Sequence, residues 1–301
     1  MDIVLCTDNN YAQYCTVAIA SVCRNNKGTH ISFHIITDGL SEKNKRNIQK
    51  VISGYAQKII FYSIDSTVLK NCPIHSTVRN CDTNIAVYFR LLIPLLLPET
   101  IEKVLYLDCD LVVRKNLSEL WKIDIGNNPI GAVKEYDYFD GIIADTEMLK
   151  KLNFDPTKGY FNSGVLLMNL PYWREHDLSN KLINFIDTYS ESIRYWDQDA
   201  INVVLSGNIK PLPPRFNVQT IFLDKNSPVN KTKGEEPAIC HYTEYWKPDH
   251  PECCHAYKNE YYKYLLLTPW RKYWLILKCR QWIWAIKNTC NVIRKRMTTS
   301  G

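Results

Sequence analysis

The sequence predicts an α/β protein: a mainly parallel central sheet covered by helices, with a basic, aromatic C-terminal appendage. Three observations lead there. Short apolar runs rich in β-branched residues alternate with stretches of helical periodicity, the pattern of strand–helix–strand units. The 301 residues are 46% hydrophobic, which suits one large globular domain plus an appendage and is too apolar for a disordered chain. The charge is divided unevenly. The last acidic residue is Glu260, and nine bases follow it, leaving 28 bases against 31 acids before.

The predicted strands are residues 3–7, 31–37, 58–64, 104–107, 130–133 and 164–169. The first two flank a buried helix over 13–23, carried by Val17, Ile19, Ala20 and Val22. Ser41 is placed to cap a helix over 42–52, because its hydroxyl can accept from a free N–H of the first turn. Further helices are predicted over 86–97, 178–189 and 197–205, and 212–233 reads as a loop. Gly164 interrupts a polar-to-apolar strand and suggests a bulge. In a parallel sheet ligands sit beyond the carboxyl ends of the strands. The composition changes near residue 250, so the chain divides into 1–250 and an appendage over 251–301.

Several classes are excluded or disfavoured. Eleven cysteines at irregular spacing argue against a secreted disulfide framework and for a reducing compartment. The N-terminus lacks the basic and long apolar regions of a signal peptide, and no run of 18 uncharged apolar residues suggests a membrane span. Neither a G-x-G-x-x-G nor a P-loop motif is present. The first 260 residues are slightly acidic, which disfavours a nucleic-acid partner.

The chemistry concentrates at a few places. The apolar run 103–107 ends in Asp108, Cys109 and Asp110. Carboxylates at i and i+2 on an extended strand share one face, so both can reach one divalent cation that in turn grips a diphosphate. Two solvated turn aspartates are the alternative. His241 follows a second short apolar run and offers a nitrogen ligand that favours Mn²⁺ over Mg²⁺, unless it is a core histidine. Lys247, six residues on, can meet a phosphate. Asp197 and Asp199 open a helix, either as cap and helix-end charges or as catalytic groups. The tail mixes its bases with Trp270, Trp274, Trp282 and Trp284. That mixture suits an anionic membrane surface, and a core-packed helix with a solvated basic end is the other reading.

Taken together, four blocks resemble family 8 glycosyltransferases, which have the GT-A nucleotide-sugar-binding fold. They are 2–14 with Cys6, Thr7, Asp8 and Tyr11; 104–110; 160–169 with Asn162 and Gly164; and Asp197, Gln198 and Asp199 followed by His241 through Lys247 and Pro248. The likeness is to bacterial lipooligosaccharide α-galactosyltransferases in particular and spans about residues 1–250. It implies that Asp108, Asp110 and His241 hold the metal, Mn²⁺ or alternatively Mg²⁺. It implies that Cys6, Thr7, Asp8 and Tyr11 hold uracil and ribose, with Asn10 and Cys109 in the same donor site. Arg90, Asn162 and Asp197 would meet the donor hexose, Gln198 would lie on the face opposite the leaving group, and Lys247 would meet the diphosphate. Glu135 stands where the family commonly has Asp, Glu244 where it usually has Gly, and Asp249 where Trp is frequent.

The resemblance implies transfer of a hexose, galactose or glucose, from a UDP-sugar to a saccharide or glycolipid with retention of configuration. Surface glycan synthesis is the expected setting, at the inner face of the cytoplasmic membrane through the tail. Gln198 is a poor nucleophile, which favours front-face attack, with Asp199 as an alternative nucleophile. A metal-dependent nucleotidyltransferase and a non-catalytic membrane-surface protein are the rival readings.

Overall fold

The computed structural model describes residues 1–55, 57–76, 81–135, 150–220, 235–243 and 245–299, without the side chains of 81, 82, 288 and 290–299. Its strands are β1 (Asp2–Cys6), β2 (Ser32–Thr37), β3 (Lys58–Ser63), β4 (His75–Ser76), β5 (Cys81–Asp82), β6 (Lys103–Leu107), β7 (Leu111–Val113), β8 (Ile130–Lys134), β9 (Phe161–Asn169), β10 (Ile209–Pro211) and β11 (Ile239–His241). Seven of them form one sheet in the order β10-β8-β9-β6-β1-β2-β3, and β7 pairs with β11, β4 with β5. Strands β3, β2, β1 and β6 are mutually parallel, as are β8 and β10. Only β9 reverses, running antiparallel between β6 and β8.

Alternation along β1 builds two cores. Ile3 and Leu5 face the helix Ala12–Asn25, through Cys15, Ala18, Ile19 and Val22. Val4 and Cys6 face the other layer, where Phe89, Leu91, Trp173, Leu182 and Ile201 pack. Burial on both faces is why β1 and β6 read as unbroken apolar runs. Ser41 caps the helix Glu42–Ser53, its Oγ accepting from Asn44 N at 3.3 Å.

The structure departs from the expected elements in instructive places. The helix expected over 86–97 is a 3₁₀ segment, Ile85–Leu92, followed by a single turn, Ile93–Leu96. Pro94 has no N–H to give to the carbonyl of Arg90, so an α-helix cannot run through it. The helix Trp196–Val204 begins one residue early, and Asp197 is inside it rather than its cap. The bulge expected at Gly164 is present: β9 falls out of step with β8 between Phe161 and Leu166 while keeping register with β6. Within 212–220 the expected loop contains a 3₁₀ turn, Pro214–Phe216, and a bridge from Val218 to Cys240; residues 221–234 lie outside the description.

Beyond residue 250 the chain continues to pack on the sheet domain. Tyr261, Tyr262, Tyr264 and Leu265 of the helix Lys258–Leu265 are buried in a third cluster with Val17, Val112, Cys240, Tyr242 and Leu277. Asn25 Nδ2 donates to Tyr264 Oη at 2.8 Å, and Gln13 Nε2 to Tyr261 Oη at 2.7 Å. A 27-residue helix, Tyr273–Thr299, follows. Among the described residues no helix is long and apolar enough to cross a membrane.

Candidate active site

A cleft of about 570 Å³ opens beyond the carboxyl ends of β1 and β6. One wall is the turn after β1, where Cys6, Thr7, Asp8, Asn10 and Tyr11 line it. Both oxygens of Asp8 are hydrogen-bonded: Oδ1 accepts from Tyr11 N at 2.8 Å and Oδ2 from Asn84 Nδ2 at 2.8 Å. The 3₁₀ segment supplies a second wall. Three residues per turn align positions three apart, and Asn84, Val87 and Arg90 all face the cleft.

The floor is the link between β6 and β7, Asp108, Cys109 and Asp110. Strand β11 pairs antiparallel with β7 and sets His241 opposite Leu111, which brings the histidine beside aspartates far away in sequence. One oxygen of each aspartate and one imidazole nitrogen lie within 4.8 Å of one another. His241 Nε2 stands 3.2 Å from Asp110 Oδ1 and 3.5 Å from Asp108 Oδ2. Gly164 borders this group closely. A Cβ there would fall 2.2 Å from His241 Cε1 and 2.6 Å from Asp108 Oδ2, so no side chain fits.

Hydrogen bonding settles which histidine nitrogen carries a proton. The Gly164 N–H donates to Asn162 Oδ1 at 2.9 Å, which fixes that oxygen as an acceptor. Asn217 therefore gives its Nδ2 to Asn162 Oδ1 at 2.7 Å and turns its Oδ1 to His241 Nδ1 at 2.9 Å. Nδ1 is then the protonated nitrogen, and in the neutral ring a lone pair on Nε2 points at the two carboxylates. Two carboxylates and one imidazole lone pair converging on a common point form a donor set that fits a divalent cation.

Charges around the floor are paired. Lys247 Nζ lies 2.7 Å from Asp110 Oδ2 and donates to Tyr242 O at 2.7 Å. Burial alone would raise the Asp110 carboxyl, but Lys247 and His241 outweigh it and hold the group well below the usual range. Arg90 is buried; its Nη2 lies 3.1 Å from Asp108 Oδ1, its Nη1 donates to Ser163 O at 2.7 Å, and its guanidinium sits over the Tyr106 ring. Tyr106 Oη donates to Asp108 Oδ1 at 2.5 Å. Arg90 Nε is 3.2 Å from Asp197 Oδ2 but gives its hydrogen to Val87 O, so Asp197 Oδ2 is buried without a hydrogen bond. Burial pushes the Asp197 carboxyl up to about 6, against the pull of Arg90.

The fold and this geometry agree with the comparison by sequence: a model described as Glycosyl transferase family 8 matches residues 2–252. The chain belongs to glycosyl transferase family 8. It is 30% identical over 283 residues to General stress protein A of Bacillus subtilis (strain 168), covering 90% of this chain and 94% of that one. It is 29% identical over 271 residues to a lipopolysaccharide 1,2-glucosyltransferase of Escherichia coli, covering 88% and 77%. Its structure superposes on the galactosyltransferase LgtC, solved with donor and acceptor sugar analogues, at a TM-score of 0.78 and 29% identity over 89% of this chain and 96% of that one. The GT-A architecture expected from the sequence is therefore the architecture of this glycosyltransferase.

In this family-8 chain most sequence candidates meet. Cys6, Thr7, Asp8, Asn10, Tyr11, Arg90, Asp108, Cys109, Asp110 and Lys247 all line the cleft. Asn162, Gln198 and Glu135 form an adjoining cluster: Asn162 Nδ2 donates to Glu135 Oε2 at 2.7 Å and to Gln198 Oε1 at 3.1 Å. Gln198 Nε2 donates to the same Glu135 oxygen at 3.4 Å. Glu244 lies outside the described residues, and Asp249 Oδ1 accepts from Tyr14 Oη at 2.5 Å.

Asp199 does not fit the catalytic part expected of it. It is fully buried, with Oδ1 accepting from Tyr160 Oη at 2.5 Å and Oδ2 from the N–H groups of Arg194 and Tyr195 at 2.6 and 2.7 Å. Its carboxylate instead holds the turn in which Trp196 takes a left-handed backbone, φ 47°, while lining the cleft. Sequence reasoning missed Trp196, Tyr106, Asn84 and Asn217. The first two adjoin recognised motifs, whereas nothing in the spacing of Asn217 marks it as the partner of His241.

Two outcomes follow. Gly164→Ala is expected to keep the fold, read by circular dichroism, and to weaken Mn²⁺ binding by at least about tenfold in calorimetry; unchanged affinity would show that the triad is not a metal site. Asp197 takes its proton near 3.8 when unfolded and near about 6 when folded, so the folded chain binds more protons in that window and stability falls as pH rises through it. Asp197→Asn should flatten the slope of the thermal-unfolding midpoint between about pH 4 and about pH 6. An unaltered slope would mean that another group titrates there.

Proposed function

We propose that this glycosyltransferase moves a hexose, glucose or galactose, from a UDP-sugar to a saccharide acceptor, with a divalent cation and with retention of configuration. The observation that carries the reading is the convergence of Asp108, Asp110 and the His241 lone pair at the floor of a cleft walled by Cys6–Tyr11. Glucosyl and galactosyl transfer by its relatives supports the same donor class. Lipopolysaccharide or another surface glycan is the acceptor class that those relatives suggest.

Asp108, Asp110 and His241 would hold Mn²⁺, with Mg²⁺ as the second candidate, given one nitrogen among hard oxygens. When bound, such a cation supplies positive charge to the diphosphate. Lys247 is within a side-chain swing of that role as well: its ammonium now sits on Asp110 and can turn to a phosphate oxygen. Tyr11, partly exposed at the cleft wall, offers a ring face for the uracil. Asp197 Oδ2, buried and without a hydrogen bond, is suited to accept from a donor-sugar hydroxyl.

The step proposed forms a bond from the acceptor oxygen to the anomeric carbon as the bond from that carbon to the diphosphate breaks. The acceptor proton passes to the departing phosphate oxygen on the same face. Gln198 has no ionisable group, and its Oε1 accepts from Asn162 and Ser163 N. Asp199 would have to abandon three hydrogen bonds to act as nucleophile. Both facts favour front-face attack over double displacement.

The packing of Tyr261, Tyr264 and Leu265 supports a catalytic domain that extends to about residue 268, with the attachment region starting near Pro269. We place that region at the inner face of the cytoplasmic membrane, with Trp282, Ile283 and Ile286 exposed beside its bases.

Asp110→Asn and Asp108→Ala are each expected to lower turnover of UDP-glucose or UDP-galactose at least about 100-fold, and a chelator should do the same to the native enzyme. Full activity in chelator would sink the metal-dependent scheme. For the tail, Arg294, Lys295 and Arg296 replaced by Gln should weaken flotation with phosphatidylglycerol vesicles on the order of 100-fold, at about 1 kcal/mol per base. Equal flotation of both proteins would reject the anchor.

A further inference from the structure

A second cleft, of about 490 Å³, adjoins the first and shares Tyr245 and Lys247 with it. Part of its wall is aromatic. The Trp246 indole stacks on the His250 ring at 3.7 Å and 13°, and Tyr245, 79% exposed, stands edge-on to Trp246 at 4.6 Å. Another part comes from the C-terminal helix through Arg280. That position is held by its neighbours on the helix. Leu277 is buried, Gln281 Nε2 donates to Tyr262 Oη at 2.6 Å, and Trp284 Nε1 donates to Glu252 Oε1 at 3.2 Å.

Two polar groups in this cleft have capacity to spare. Arg280 makes no ion pair or hydrogen bond among the described residues. Asp249 accepts from Tyr14 Oη on one oxygen, and its other oxygen accepts nothing among the described residues. An aromatic face, a guanidinium and a carboxylate oxygen are together the complement of a pyranose. Its C–H face carries partial positive charge and packs on a π-face, while its hydroxyls both give and take hydrogen bonds.

We propose that this second cleft is an acceptor subsite. It holds the sugars of the acceptor that lie beyond the residue receiving the hexose, so the C-terminal helix takes part in choosing the acceptor. The proposal rests on the hexosyl-transfer reading above.

The test uses the full chain and two variants, Trp246→Ala and Arg280→Gln. With Mn²⁺ and whichever of UDP-glucose and UDP-galactose turns over, kcat/KM is measured for mono-, di- and tetrasaccharides ending in glucose or galactose. UDP affinity by calorimetry reports on the donor site separately. The native enzyme is expected to prefer the tetrasaccharide over the monosaccharide by at least about tenfold. Each substitution should bring that preference below about threefold and leave monosaccharide turnover and UDP affinity unchanged. A native enzyme indifferent to length, or a preference that survives both substitutions, overturns the subsite while UDP binding stands. Failure of the native enzyme to bind UDP with Mn²⁺ overturns the donor reading itself, and the subsite with it.

Discussion

Two carboxylates and an imidazole are held together at the floor of the cleft, and much of the surrounding structure serves to keep them there. Asp108, Asp110 and His241 converge within 4.8 Å of one another, with the histidine's Nδ1 engaged by Asn217. In the structure as described, Lys247 and Arg90 supply the compensating charge, one on each aspartate. Buried ion pairs of this kind add little net stability, because desolvation offsets most of the attraction. Their worth is in position. Each cation lies where a negatively charged ligand could draw on it once another positive charge shares the aspartates.

The convergence needs room, and the sheet provides it in an unusual way. Strand β9 is antiparallel among parallel neighbours and bulges against β8 at Asn162–Val165. The bulge sets Gly164 against His241 and Asp108, where even a methyl group would collide. The same turn of backbone directs the Gly164 N–H to Asn162 and, through Asn217, fixes the protonated nitrogen of His241. One local irregularity thus governs both the space for the site and the tautomer of its histidine. The adjoining Asn162–Gln198–Glu135 cluster is tied to it through the same asparagine.

The C-terminal segment is two things in succession. Up to Leu265 it is core: tyrosines of the helix Lys258–Leu265 pack beneath β7 and β11 and bond to the helix Ala12–Asn25. From Pro269 onward its surface becomes basic and aromatic, but it stays docked through Leu277, Gln281 and Trp284. Core packing and an exposed surface carrying bases are both present because they occupy different stretches of the chain.

How much was legible in the sequence depended on the range of the interaction. Burial on both sheet faces imprints continuous apolar runs, so β1, β2, β6 and β8 are readable to within a residue or two, as are the helices Ala12–Asn25 and Glu42–Ser53. Asp108 and Asp110 announce themselves by following such a run, and Ser41 by the position a cap requires. From its own neighbours His241 stood out only as a histidine after an apolar run, and the family resemblance alone joined it to the aspartates; the pairing of β11 with β7 is what brings them together. The sequence by itself determined the layers, the order of the motifs and the kinds of atom available to bind a cation. Tertiary structure alone decided which of them meet, that Asp199 braces a turn instead of facing a sugar, and that Asn217 orients His241. His241 meets Asp110 across 131 positions and Asn217 across 24, and Asp199 adds to its local backbone contacts one from Tyr160, 39 positions away; no local periodicity encodes such distances.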